Sequence, residues 1–330
     1  MKVSGKHFKR GMKDNSVIIK SNFIAIHSSD GDTGVFRKVV NELSSDSDEN
    51  LNFNLSSKDF SLVSKFNDLK IGLTGETISF KSNSSTFKIQ NYDHNFTSPA
   101  KEGRKDLNIP IDILEKASKF TDTSRAEAAG ILVYPNCVIG SSGPTLYKFK
   151  IKTGDSFIHI PLNFLKVMDG KDYQLTATDK FVFASKDGEI AYSALYEQKI
   201  AKLDEYDPKL PGSIKCNLNE LKEHISVAEY FGKYVFIDIS KDKMTIQSII
   251  DEGQNKNFNA TLSLQSSNIE SYRKAFIVSN LLKVLNAVDT KEIGIDNRYI
   301  VLRNKEELVM TMVYTQPGET ELVLKKEEEN

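Results

Sequence analysis

Apolar and polar positions in the 330-residue chain follow two periods, and the order in which these periods alternate recurs. Over 145–151, Thr145, Tyr147, Phe149 and Ile151 alternate with Leu146, Lys148 and Lys150, the period of two expected of a strand. Over 218–228, Leu218, Leu221, Ile225 and Ala228 return at helical spacing, which predicts an amphipathic helix with one buried stripe.

The clearest unit occupies 213–316. A short strand at 213–217 leads into that helix, and strand-like runs follow at 234–239, 244–250 and 258–264. The pattern then restarts with a strand at 275–278 and a helix over 279–288 that puts Leu281, Leu285 and Val288 on one face. Strands at 292–296, 299–303 and 308–314 close the unit. The middle of the chain repeats the arrangement: helix 111–120, strands 131–134, 136–140 and 145–151, strand 157–160, helix 161–168, then strands 173–177, 180–185 and 189–196. Pro161 stands at a favoured first-turn position of its helix. In the first third the second half is clear, with strand 52–55, helix 57–66 and strands 69–74, 77–81 and 86–90. Its first half offers only a weak helix near 6–12 before strands at 16–28 and 34–41. Polar links at 93–107 and 199–212 separate three units of about 100 residues, a domain-sized length. The expected domains are therefore 1–98, 99–200 and 201–316, with an extension over 317–330.

Composition removes whole classes of function. With 39% apolar and 27% charged residues the chain reads as globular. No apolar run nears the roughly 20 residues that span a bilayer, so no membrane partner is expected. The basic segment 1–14 has no apolar block behind it, so no signal peptide is expected and the location read is cytoplasmic. Cys137 and Cys216 read as reduced core thiols. His7, His27, His94, His159 and His224 are scattered, none at metal-ligand spacing. There is no P-loop, no G-x-G-x-x-G and no G-x-S-x-G. Asp30-Gly31-Asp32-Thr33-Gly34 begins like a calcium loop but lacks flanking helices and a closing Glu, so a hairpin turn is expected. No catalytic residue, cofactor or metal is expected, and the chain reads as a non-enzyme.

At this point the chain resembles the bacterial-type beta sliding clamp over nearly its whole length. Phe157-Ile158-His159-Ile160-Pro161 with Leu165-Lys166-Val167-Met168-Asp169-Gly170 looks like that family's strand, proline and helix. Asp187-Gly188-Glu189 through Leu195-Tyr196 resembles its final strand, and Asp204-Glu205-Tyr206-Asp207 its turn into the third domain. Phe53-Asn54-Leu55-Ser56-Ser57-Lys58-Asp59-Phe60 and Leu308-Val309-Met310-Thr311-Met312 resemble the matching first-domain segment and the closing strand. The resemblance implies an α+β DNA clamp fold, with three similar domains that each pack two helices on antiparallel sheets. It implies a ring closed head to tail by a homodimer, three domains per chain favouring a dimer over a trimer. The implied function is that of a processivity factor that encircles double-stranded DNA and tethers a DNA polymerase, with a clamp loader as a further partner. The short first helix, the compact loops and the extension depart from the family and mark a divergent member, phage-encoded in one reading.

Two surfaces follow from the resemblance. Helices lining the hole would carry basic residues off their buried stripes, and the candidates are Lys6, Lys9, Arg10, Lys13, Lys58, Lys65, Lys116, Lys119, Lys166, Lys222 and Lys283. Their contacts would go to phosphates without base readout. Net charge is only −1, and Glu115, Glu220 and Glu223 dilute the pattern. The second surface is an apolar groove for partner peptides, with Val133, Ser141, Gly143, Leu146, Pro208, Leu308, Met310 and Met312 as candidates. Flexible Met side chains suit a site that takes several partners, although Leu308, Met310 and Met312 on one strand could equally fill a core. Residues 319–324 either add an edge strand or fold over the groove, and 325–330 form a charged, solvated end. The competing reading is a β-rich interaction or structural module, viral in one version, which would need neither basic helices nor a threefold repeat.

Overall fold

The computed structural model describes residues 2–41, 50–91, 99, 102–122, 129–197, 202–248, 257–290 and 292–325. The first parts of both expected links, His94, the end of the strand expected at 244–250 and the charged end 326–330 lie outside them. The chain forms two compact units, one of residues 1–112 and 158–197, the other of 113–157 and 198–330. Elements are numbered along the chain.

Unit 1 begins with β1 (Lys2–Ser4), a single 3-10 turn (Gly5–His7), β2 (Asp14–Ile19), β3 (Phe23–Ser29), β4 (Thr33–Val40) and β5 (Leu51–Ser56). It continues through α1 (Ser57–Val63), β6 (Asp68–Thr74), β7 (Thr77–Lys81), β8 (Thr86–Gln90) and β9 (Lys105–Leu107). After α2 (Ile111–Ser118), which belongs mostly to unit 2, the chain runs through β10 (Gly130–Tyr134), β11 (Cys137–Ser141) and β12 (Thr145–Lys150). It returns to unit 1 for β13 (Ile158–Pro161), α3 (Leu162–Val167), β14 (Gln174–Ala177), β15 (Phe181–Lys186) and β16 (Glu189–Ala194). Two antiparallel sheets result, in the orders β1-β6-β7-β8 and β5-β2-β3-β4-β16-β15-β14-β9. A core of Val17, Ile24, Ile26, Phe53, Phe60 and Phe80 joins α1 to both. Ser56 caps α1, its hydroxyl accepting from the Asp59 N–H at 3.2 Å and donating to Asp59 Oδ2 at 2.6 Å.

Unit 2 adds β17 (Gly212–Lys215), α4 (Leu218–Ala228), β18 (Tyr234–Ser240), β19 (Lys243–Ser248), β20 (Asn259–Ser263), β21 (Ser266–Ser267) and β22 (Ile269–Ile277). It ends with α5 (Val278–Ala287), β23 (Glu292–Ile295), β24 (Tyr299–Arg303), β25 (Glu307–Met312) and β26 (Thr320–Leu324). Within it the strands run β10-β11-β12-β25-β24-β23-β17-β21 in one sheet and β20-β19-β18-β22-β26 in the other. Leu221, Ile225 and Ala228 of α4 are buried as the spacing predicts, and so are Leu281, Val284 and Leu285 of α5. Gly140 of β11 lets α2 lie directly on the sheet: a Cβ there would stand 2.0 Å from the Ala117 carbonyl oxygen.

The middle third of the chain is shared between the units because its outer strands extend its neighbours' sheets. β16 pairs with β4 in unit 1, and β12 pairs with β25 in unit 2, each over five residues in register. The expected strand 16–28 is two strands with a turn between them, and Asp30-Gly31 makes the hairpin turn, with Gly31 at φ 107°. The helix expected near 6–12 is reduced to the 3-10 turn, and Pro161 stands as the cap residue just before α3. Residues 320–324 add an edge strand against β22. Among the described residues no helix is long and apolar enough to cross a membrane.

Candidate partner groove and basic surface

In unit 2, β12, β25 and β24 turn alternate residues to one face. Leu146 sits opposite Met310, and Val301 and Tyr299 stand opposite Met310 and Met312. Leu146, Leu308 and Met310 pack there with Tyr134, Cys137, Ile139 and Tyr299. Met312, at the strand end, is 44% exposed. The segment before β17 is folded over this face by the buried Lys148, whose ammonium donates to the Tyr206 carbonyl at 3.0 Å and to the Asp204 carbonyl. Between segment and sheet lies a groove of about 850 Å³, lined by Tyr206, Pro208, Leu210, Pro211, Tyr299, Met310 and Met312. Asp207, Lys209, Asp296 and Arg298 line it too. The volume falls in the range of ligand clefts, and apolar walls are mixed with a few polar groups. Burial, and a hydrogen bond shared with Tyr299, push the Tyr206 phenol up to about 12. Arg298, beside Asp296 at 3.6 Å, is raised by that carboxylate.

Of the expected groove residues, Pro208, Met310 and Met312 line the groove. Leu146 and Leu308 lie in the apolar cluster beneath Met310, a core role. Val133 does not reach it: its neighbours Leu132 and Tyr134 face this cluster, and strand alternation turns Val133 to the other side, fully buried. Ser141 ends β11 opposite Leu146, and Gly143 belongs to the β11–β12 turn, where the Ser142 N–H donates to the Thr145 carbonyl at 3.0 Å and Gly143 takes φ 83°. They are not among the lining residues. Tyr206, Leu210, Pro211, Arg298 and Tyr299 were missed. The only sequence signal for them was Tyr206 and Leu210 set around Pro208 and Pro211, a rigid segment with apolar teeth.

The basic residues divide into free and engaged ones. Lys6, Lys9, Lys13, Lys58, Lys65, Lys119 and Lys166 are exposed, and Lys222 is half-buried on α4. Lys166 reaches Asn163 Oδ1 at 3.0 Å on its own helix. Arg10 is committed elsewhere: its guanidinium donates to Glu189 at 2.7 and 3.2 Å and to the Val167 carbonyl at 3.0 Å. Lys116 likewise donates to Glu307 Oε1 at 2.8 Å, and Lys283 lies 5.8 Å from the centre of the Phe120 ring. Arg10 and Lys116 are engaged because the closing strands β16 and β25 start with a glutamate beside them, whereas Lys283 faces a ring. Burial pushes the Cys137 and Cys216 thiols up to about 11, which makes both unreactive. Among the described residues no group of His, Cys, Asp and Glu could hold a metal ion.

The fold has solved counterparts along the whole chain. The beta clamp of Helicobacter pylori bound to a DNA ligase peptide superposes with a TM-score of 0.82 at 14% identity, covering 96% of this chain and 100% of that one. The fold is that of the bacterial beta clamp. The DNA polymerase III subunit beta of Pseudomonas aeruginosa gives a TM-score of 0.79 at 14% identity, over 96% of this chain and 99% of that one. A Pseudomonas aeruginosa DNA polymerase sliding clamp with ligand gives 0.78 at 14% identity, over 92% of both chains. No family model matches the sequence, and neither does any curated protein. In this clamp fold the order of elements survives where residue identity does not, since strand period and helix stripe constrain residue class more than residue type.

Proposed function

We propose that this chain is a DNA polymerase sliding clamp, a non-catalytic ring subunit that holds a polymerase on duplex DNA. The observation that carries the reading is the superposition on beta clamps end to end, with no part of the Helicobacter pylori chain left uncovered. The three-domain division fits it, with each domain giving strands to a neighbour's sheet.

Ring closure has support in the strand pairing. β4 with β16 and β12 with β25 each join the fourth strand of one third to the closing strand of another. The same positions in the repeat leave β20 and β8 at the ends of their sheets. A second copy of the chain would pair its β8 with this β20, and its β20 with this β8. That is a head-to-tail contact which closes after two copies. The exposed Lys6, Lys9, Lys13, Lys58, Lys65, Lys119 and Lys166, with the half-buried Lys222, would contact phosphates loosely, and the topology of the ring would retain the DNA. The Helicobacter pylori clamp carries a DNA ligase peptide, and the groove of unit 2 would take short apolar segments of the polymerase and of a clamp loader. With these partners the protein would act in the cytoplasm.

The test is solution mass by light scattering, run beside retention on nicked circular and linearised DNA. A dimer that a loader leaves on circles and that slips from linear ends is the expected result. A monomer without loader-dependent retention would overturn the reading in favour of a structural module. Nanomolar binding to short linear duplex in physiological salt would overturn the topological part alone.

A further inference from the structure

The C-terminal strand β26 lies along β22, and hydrogen bonds carry it to two separate walls of the groove. The Leu322 N–H donates to Asn297 Oδ1 at 2.7 Å. Asn297 stands between Asp296 and Arg298, which line one wall. The Lys325 N–H donates to the Asn268 carbonyl at 2.9 Å. The side chain of Asn268 in turn holds the opposite wall, donating to the Pro211 carbonyl at 3.1 Å and accepting from the Ser213 N–H at 2.7 Å. The strand itself is locked by Lys274, whose side chain is 7% exposed and donates to Glu319 at 3.2 Å and Glu321 at 2.9 Å.

We propose that β26 is a brace for the partner groove, and that Asn297 and Asn268 are the positioning residues through which it acts. The inference rests on the reading of the groove as a peptide site. β26 contributes little to a core, since four of its five residues are exposed. Two of its polar contacts, by contrast, lead to the two walls. Walls already fixed in the open groove spare a peptide the cost of ordering them, so a docked β26 raises affinity without touching the ligand.

The experiment compares the full chain with Asn297→Ala, Asn297→Asp, Asn268→Ala and a chain ending at Thr315. Met310→Ala serves as the direct variant of the groove floor. Hydrogen exchange is read over 206–213 and 296–299, and binding is read by anisotropy with the DNA ligase peptide named for the Helicobacter pylori clamp. Asn297→Ala is expected to speed exchange over 296–299 and weaken the peptide about fivefold, as for one lost hydrogen bond. Asn268→Ala is expected to do the same over 206–213. Asn297→Asp keeps the acceptor for Leu322 and is expected to behave as wild type, which a merely structural loss would not allow. Unchanged exchange at both walls in the Asn variants and in the shortened chain overturns the brace. Binding that falls in Met310→Ala but not in the Asn variants overturns its effect on affinity. If the full chain and Met310→Ala bind the peptide equally poorly, the groove reading fails, and exchange alone still decides the brace.

Discussion

The β4–β16 seam of unit 1 and the β12–β25 seam of unit 2 are the same junction built with different parts. Each closing strand begins with a glutamate, Glu189 or Glu307, and each glutamate meets a cation from the first half of its neighbour. In unit 2 the cation is Lys116 on α2, with its side chain 44% exposed, and Tyr147 donates to the same carboxylate at 3.0 Å. In unit 1 no helix stands at that place. Arg10 arrives from an irregular segment at φ 54°, forks onto Glu189, and Tyr173 donates to Glu189 as well. Glu189 is left 8% exposed. A planar guanidinium can hold a carboxylate from an irregular segment because two parallel bonds fix its orientation, whereas an ammonium offers a single point charge. The missing first helix is thus replaced by a more branched ion pair, around a carboxylate about as buried as Glu307, 8% against 11% exposed.

The sharpest way to break this comparison is to remove both cations. Arg10→Ala removes both guanidinium bonds from a buried carboxylate, which keeps only Arg37 across the β4–β16 pair as a nearby cation, and is expected to cost about 3 kcal/mol. Lys116→Ala removes a half-exposed ammonium from a carboxylate that keeps its bonds from Tyr147 and Asn304, and is expected to cost about 1 kcal/mol. Urea midpoints of the two variants measure the difference, and equal losses would mean that the two seams are held alike. Arg10→Lys should recover only part of the loss.

A smaller effect is expected at the sheet ends left open. Phe120 stands two residues past α2, 2% exposed and stacked on Tyr147, with Lys283 of α5 over its ring. Tyr230 stands two residues past α4 and is 88% exposed, while Leu62 of α1 is also exposed. If a second copy completes the third seam, Tyr230 takes the place of Phe120 and Leu62 that of Lys283. Tyr230→Ala should then cost on the order of 2 kcal/mol of association, a roughly 30-fold rise in the dissociation constant. Light scattering across a dilution series measures it, and Tyr230→Ala with wild-type self-association would remove Tyr230 from the interface.

The smallest effect is one of pH. Burial alone would raise the Glu307 carboxyl, but hydrogen bonds from Lys116, Tyr147 and Asn304 hold it below its ordinary 4.5. A carboxyl depressed in the folded state contributes its stability above the unfolded value and loses it as pH falls through the folded one. The stability gap between wild type and Lys116→Ala should therefore be widest above about pH 4.5 and narrow below it. A gap that stays constant to pH 3 would show that Lys116 acts through packing.

Most of the fold was legible because period and stripe are local. α4 begins at Leu218 and β24 spans Tyr299–Arg303, as their spacing predicts, and the order of elements over three repeats pointed to the clamp architecture. The groove was legible only in part. Met310 and Met312 stand on a strand whose period is visible, whereas Tyr206 and Arg298 become neighbours only when Lys148 draws residues 204–206 over the sheet. The lysine pattern was read too generously at Arg10 and Lys116, since no local signal tells a free cation from one opposite a glutamate more than 170 residues away.

By itself, then, the sequence determined which residues form strands and helices, which face of each is apolar, and that the pattern comes three times. Tertiary structure alone decided which strands share a sheet, which cations are spent on buried carboxylates, and where the chain leaves two apolar walls apart. It also chose between the two places open to residues 319–324, setting them on β22. The physical reason is range. Side-chain period acts over a few residues, while sheet pairing, ion pairing and groove walls join segments 50 to 180 residues apart and depend on backbone groups that every residue carries alike.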